Sequence, residues 1–223
     1  MQLLHTGGIF AAIHRELVGT DIPFSELDVS GFEPELVEYA RDTWAQRVQT
    51  EFQSIQVMCR FLTEVLGAGD PLEVYAGAAD AITDEIRHTA LCVGMVEALG
   101  GVPQLPQPLV QKENAEFLAL PMAQRATSSA ISMLAISETL STGFIEDLHD
   151  RCDSPVVHAV LAATLADEET HHEFGWAYVE ASMSRFEGDA MPMWQMVAEV
   201  TLEPHLAQTR AALADVPLHK RTL

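Results

Sequence analysis

Asp84-Glu85-Ile86-Arg87-His88 and Asp167-Glu168-Glu169-Thr170-His171 are two copies of one short pattern, Asp-Glu-x-x-His. On a helix, residues three apart share a face, so each copy presents a carboxylate and an imidazole together. Each copy follows a lone glutamate in an otherwise apolar stretch, Glu51 before the first and Glu138 before the second. Four carboxylates and two imidazoles converging from four helices are the ligand set of a carboxylate-bridged dinuclear metal site. The spacing therefore selects Glu51, Glu85, His88, Glu138, Glu168 and His171 as metal-ligating residues.

Electrostatics makes the same demand. Burying one unpartnered carboxylate costs several kcal/mol, and four together are prohibitive. No Lys falls on the apolar stripes, and Arg41 stands more than two turns from Glu51. Two divalent cations would balance four carboxylates. Carboxylate and imidazole ligands without thiolate suit iron or manganese rather than a structural zinc. Asp84 and Asp167, each beside a ligating Glu, are expected to accept hydrogen bonds from the histidine N–H groups. Glu146-x-x-His149 has the right spacing but lies near a helix end. Glu169-x-x-His172 is a one-residue slip of the second copy; Asp167 before Glu168, as Asp84 before Glu85, favours the first register.

Four long helical segments must carry these residues. The first runs from Pro34 to about Leu66, before Gly67-Ala68-Gly69-Asp70-Pro71, and the second from about Pro71 to Leu99, stopped by Gly100-Gly101. A proline-rich connection over 102–108 leads into a short helical piece ending at Leu120. The third runs from about Pro121 to Arg151. The fourth runs to Phe186 from about Ser154, an expected N-cap before Pro155. Apolar residues recur at alternating spacings of three and four, and each acidic residue interrupts a core-facing stripe. Glu51, Glu85, Glu138 and Glu168 fall near mid-helix, so antiparallel packing brings them to one height. The first and second segments match the third and fourth as a loose internal repeat. Residues 1–30 are expected to form a helix and loop covering one end. Residues 187–223 should form one or two shorter helices around Pro204, packed on the helices rather than acting as a substrate lid. Met58, Cys92, Met95, Met133 and Phe144 could border a cavity, although core packing accounts for them too.

Composition bounds the rest. At 223 residues, 48% hydrophobic and 20% charged, the chain fits a single domain over 1–223. A net charge of −21 argues against nucleic acid or an anionic membrane as partner. Cys59, Cys92 and Cys152 form no CxxC pair and read as free thiols in a reducing compartment. The apolar stretch Ile9 to Ile13 lacks a basic segment before it, so no signal peptide is expected, and no run approaches a membrane span. A cytoplasmic location follows as the expectation.

Over residues 34–186 the pattern resembles the ferritin-like superfamily of carboxylate-bridged non-haem di-iron proteins. Asp-Glu-x-Arg-His at 84–88 is similar to the form in ribonucleotide reductase small subunits and bacterial multicomponent monooxygenases. Phe174-Gly175 after His171 also recurs in ferritin-like sequences. The resemblance implies an all-α, antiparallel four-helix bundle with added short helices at both termini and the six ligands named above. Two iron ions are the implied cofactor, with manganese as the alternative. The second copy has Thr170 where the pattern often has Arg, which puts its outer hydrogen bonding in question. A reductase radical tyrosine is disfavoured because Thr89 stands at its place, and Thr164 replaces the extra histidine of arylamine N-oxygenases. No rubrerythrin-type cysteine module is present. Thr142, one turn past Glu138, matches the threonine that faces the oxygen site in monooxygenases; the competing reading is a threonine bonding its own helix backbone.

The implied activity is that of a di-iron oxidoreductase, a monooxygenase-like enzyme reducing dioxygen or peroxide. Its partners would be dioxygen, a small apolar or amphipathic substrate and an electron-donor protein, with room for a homodimer. The rivals are ferritin- or bacterioferritin-like ferroxidase chemistry for iron storage or detoxification, manganese catalase-like dismutation, and a bundle that binds metal without turnover.

Overall fold

Pro34 and Pro155 open two helices at positions whose N–H groups need no partner, and Gly69, at φ 73°, closes the first of them. In the computed structural model these are α2, Pro34–Ala68, and α7, Pro155–Met183. The structure describes residues 7–104, 106–110, 113, 115–186 and 190–214. The remaining helices are α1 (Gly8–Val18), α3 (Leu72–Ala98), α4 (Ala115–Ala119), α5 (Met122–Ser129), α6 (Glu138–Arg151) and α8 (Met191–Ala214). Among the described residues the chain is all-helical, without strands, and no helix is long and apolar enough to cross a membrane.

One sequence expectation changes here. The third segment is not uniformly α-helical: a π-helical stretch, Ala130–Ser137, joins α5 to α6. Its sequence, AISMLAIS, is apolar nearly all round, so periodicity could not show where the winding changes. Residues five apart now share a face. Ile131 and Ile136 cluster with Ala190 and Trp194, and the Ser137 hydroxyl donates to the Ser132 carbonyl at 2.8 Å. Of the one or two C-terminal helices expected, the described residues form one, α8, with Pro204 inside it. Expectations for 1–6, 187–189 and 215–223 lie outside the described residues. Ser154 precedes α7 with extended backbone, but its hydroxyl makes no capping bond.

Two apolar layers flank the middle of the molecule. In one, Met58, Phe61 and Val65 of α2 meet Ala78 and Ala81 of α3, Ala126, Ala130, Leu134 and Tyr178. In the other, Leu91, Met95 and Leu99 of α3 meet Val156 and Val160 of α7, covered by Phe24, Leu27 and Trp44. Val48 meets Cys92 and Val96, so α2 and α3 run antiparallel. The acidic residues of the sequence pattern fall between these layers. Asp70, beyond the end of α2, is tied to α7 by the Tyr178 hydroxyl at 2.8 Å and by Arg185.

Gly175 is the closest approach of α7 to the π-helical stretch. A Cβ built there would lie 2.6 Å from the amide nitrogen of Ala135, a backbone atom that cannot rotate away. Gly175→Ala is therefore expected to destabilise the protein by about 3 kcal/mol through forced separation of the two helices. Denaturant unfolding at constant m-value checks this.

Candidate metal centre

Glu51 of α2, Glu85 and His88 of α3, Glu138 at the start of α6, and Glu168 and His171 of α7 come together between the two apolar layers, none more than 7% exposed. They make two overlapping groupings, Glu85–Glu138–Glu168–His171 and Glu51–Glu85–His88, with donor atoms within 4.8 Å of one another in each. Glu85 belongs to both. Its Oε1 lies 3.6 Å from His171 Nδ1 and its Oε2 3.8 Å from His88 Nδ1. Glu168 repeats the arrangement, with Oε1 3.6 Å from His88 Nδ1 and Oε2 3.6 Å from His171 Nδ1. Each of these two carboxylates thus spans both imidazoles.

Separations of 3.6–3.8 Å are too long for good hydrogen bonds. Accordingly Glu85 Oε2, Glu168 Oε2, His88 Nδ1 and His171 Nδ1 have no hydrogen-bond partner. Buried polar atoms are rarely left so, because each has given up water without replacement. All four face the same small volume. Oxygen and imidazole donors at these spacings fit divalent cations of the iron or manganese kind. Cys92 lies outside both groupings, and burial and the charge of Glu51 push its thiol up to about 12.

The outer bonds cross between the halves. His88 Nε2 donates to Asp167 at 3.2 Å, and His171 Nε2 donates to Asp84 at 3.2 Å, so each aspartate serves the imidazole of the opposite motif. Both aspartates accept from histidine N–H groups as the sequence led one to expect, and the structure adds that the pairs cross between motifs. With Nε2–H committed outward, each Nδ1 is aimed at the cluster. Arg87 Nη1 donates to both Asp84 and Asp167 at 2.6 Å, and its Nη2 reaches the Leu17 carbonyl of α1 at 3.1 Å. One arginine therefore braces both halves, which removes the question raised by Thr170. That residue is exposed and bonds the Asp167 carbonyl.

Arg47 is a site residue that the stripe reading missed. Its Nη2 donates to Glu51 Oε1 at 2.6 Å from one turn earlier on α2. The signal was present as an i, i+4 pair, but Arg41, which instead bonds Glu38, drew the search for a cation. Of the decoys, Glu146 and Glu169 are exposed, and His172 Nδ1 lies against the Glu168 carbonyl. Thr142 is buried, and its hydroxyl donates to the Glu138 carbonyl at 2.8 Å, the local backbone bond that competed with a catalytic role.

A cleft of about 850 Å³ opens onto the cluster between α2 and the π-helical stretch with α6. Glu51, Glu85, Glu138 and Glu168 form its floor; Val57, Met133, Leu140 and Phe144 line its apolar walls. Gln53, Ser54, Ser137 and Ser141 add polar groups. His205 and Thr209 of α8 line it as well, so this helix both packs on the π-helical stretch and borders the cleft. Of the residues that could border a cavity, Met133 and Phe144 line this cleft and Met95 lines a separate hollow beside Leu27 and Trp44, whereas Met58 and Cys92 are core.

Without cations the cluster holds protons. Burial pushes Glu51 up to about 7 against the pull of Arg47. Burial and the nearby charges of Glu168 and Glu85 raise Glu138 well above its ordinary range. For His171, burial opposes the charge, but the bond to Asp84 and the nearby carboxylates of Glu168 and Glu85 outweigh it and raise the group to about 9. His88 is likewise raised, with Asp167 and Glu85 outweighing burial. A group raised in the folded state stabilises fully below its unfolded value and loses that contribution as pH rises through the folded value. For Glu51 the loss runs from 4.5 to about 7, and for His171 from 6.5 to about 9.

Metal-free protein is therefore expected to show a Tm that falls as pH is raised from about 6 to about 9. The stabilisation from added manganese(II) should grow over the same interval, because the cation replaces protons that are then easier to remove. Scanning calorimetry with and without metal reads both. Asp84→Asn, which weakens the hold on His171, should lower manganese affinity about 10- to 100-fold in equilibrium dialysis.

Comparisons with family models, with curated proteins and with solved structures give no match.

Proposed function

We propose that this chain is a ferritin-like four-helix bundle whose buried cluster holds two iron or manganese ions. In this reading it is an oxidoreductase that reduces dioxygen or peroxide while oxidising a small apolar or amphipathic molecule. The observation that carries it is the set of four buried, unpartnered atoms, Glu85 Oε2, Glu168 Oε2, His88 Nδ1 and His171 Nδ1, converging on one volume. Other buried oxygens without a hydrogen-bond partner, such as Glu64 Oε1 and Asp70 Oδ1, have an arginine beside them, whereas these four atoms face one another.

Glu85 and Glu168 span both imidazoles and suit bridging positions, while Glu51 and Glu138 complete the set toward the cleft. A bound iron pair would supply Lewis acidity and the electrons for dioxygen reduction. The chain's own residues set the conditions. Asp84, Asp167 and Arg87 hold the imidazoles in one tautomer. The two apolar layers keep water from the ends, leaving the cleft as the route for dioxygen and substrate. Its mixed wall, with Phe144 and Leu140 against Ser137 and Gln53, matches an amphipathic substrate. Repeated monooxygenase turnover calls for electrons from an external donor protein. Thr142 is given no role, since its hydroxyl is committed to the backbone.

Anaerobic titration with iron(II) should saturate at about two ions per chain. Subsequent air should give dioxygen uptake with transient near-ultraviolet or visible absorption, and oxidised product from a small arene or alkene probe. Glu138→Ala should lose a metal ion and most dioxygen uptake. Iron loading far beyond two per chain without organic product would favour storage, and peroxide disproportionation by the manganese form would favour a catalase. A Glu138→Ala protein that bound and reacted like the parent would overturn the proposal.

A further inference from the structure

Glu85 and Glu168 each reach both imidazoles, so the two donor groupings differ in their outer carboxylate, Glu138 in one and Glu51 in the other. The Glu51 grouping has a fixed positive charge beside it, since Arg47 Nη2 donates to Glu51 Oε1 at 2.6 Å. The guanidinium lies 5.9 Å from the Trp44 ring centre, near the Cys92 thiol, and its side chain is 18% exposed. It keeps its charge at any working pH. Here the internal repeat breaks: the residue one turn before Glu51 is Arg47, and the residue one turn before Glu138 is Leu134, an apolar core residue.

We infer that the two cation positions fill in order, Glu85–Glu138–Glu168–His171 first and Glu51–Glu85–His88 second, and that Arg47 sets the gap by weakening the second. This rests on the two-cation reading above and goes beyond it. Two effects act in one direction. One Glu51 oxygen is already committed to the guanidinium. A guanidinium and a divalent cation sharing one carboxylate in a poorly hydrated site repel each other strongly. When metal is limiting, the chain then carries a single ion, and any chemistry that needs the pair follows occupancy of the Arg47-controlled position. Arg47 is thus a positioning residue that acts through Glu51.

Manganese(II) titration of the metal-free full chain tests this, with bound metal measured by equilibrium dialysis and its state by electron paramagnetic resonance. The first equivalent should give the spectrum of an isolated ion, and the exchange-coupled spectrum should rise only with the second. The two dissociation constants should differ by about tenfold or more. Glu51→Gln should abolish the second step alone. Arg47→Gln, which keeps a hydrogen-bond donor but removes the charge, should tighten the second step about tenfold and leave the first in place. Arg47→Lys, which keeps the charge, should retain the parent's gap.

A coupled spectrum from the first addition, or one constant for both ions, overturns the inference, and the parent protein alone delivers that result even if a variant fails to fold. An Arg47→Gln protein with an unchanged or weaker second step overturns the role given to Arg47. Failure to bind two ions under any condition sinks the two-cation reading instead, so the two failures are distinguishable.

Discussion

Acidic side chains shut between two apolar layers are the constraint on which this molecule turns. Glu51, Glu85, Glu138 and Glu168 occupy one level, with Met58, Phe61 and Leu134 on one side and Leu91, Met95 and Val160 on the other. Charge held in such surroundings must be balanced by protons, by fixed cations or by metal. Two of these can be traced here: burial favours the protonated forms of Glu51 and Glu138, and Arg47 supplies a fixed cation, while four inner atoms remain without a hydrogen bond.

The outer bonds explain how such a cluster keeps its shape. An imidazole on α3 is held by an aspartate on α7, and the reverse pair holds the imidazole on α7. Arg87 joins the two aspartates, so α3 and α7 cannot slide past each other without breaking both pairs. The same guanidinium bonds the Leu17 carbonyl, fastening α1 to this layer. The arrangement is nearly two-fold symmetric, yet only one of its halves carries an arginine in the motif. Symmetry of contact therefore did not require symmetry of sequence. Arg47 departs from it in the other direction, by adding charge to one half alone.

Much of this was legible from residue order, for a simple reason. Helical periodicity converts spacing into direction, so Glu85 and His88, or Glu168 and His171, had to point together wherever the helices packed. Prolines and glycines at 34, 69, 100 and 155 marked the helix limits closely. The π-helical stretch was not legible, because Ala130 to Ile136 is apolar apart from Ser132 and fits more than one winding. A register in which Ile131 and Ile136 share a face appears only once α8 lies against them. Arg47 was legible in principle, one turn from Glu51, but a reading confined to apolar stripes passes over cations on the same face.

Residue order by itself determined that Glu85 and His88, and Glu168 and His171, share a helix face, since this follows from the local geometry of each helix. Only the packed structure decided which partners they meet. It crossed the aspartates between motifs, shared Arg87 between two halves, set α8 beside the cleft and turned the exposed alternatives Glu146 and Glu169 outward. Those choices depend on how four helices rotate and slide against one another. Contacts between residues some 80 positions apart set that rotation, and helical spacing along one segment carries no information about them.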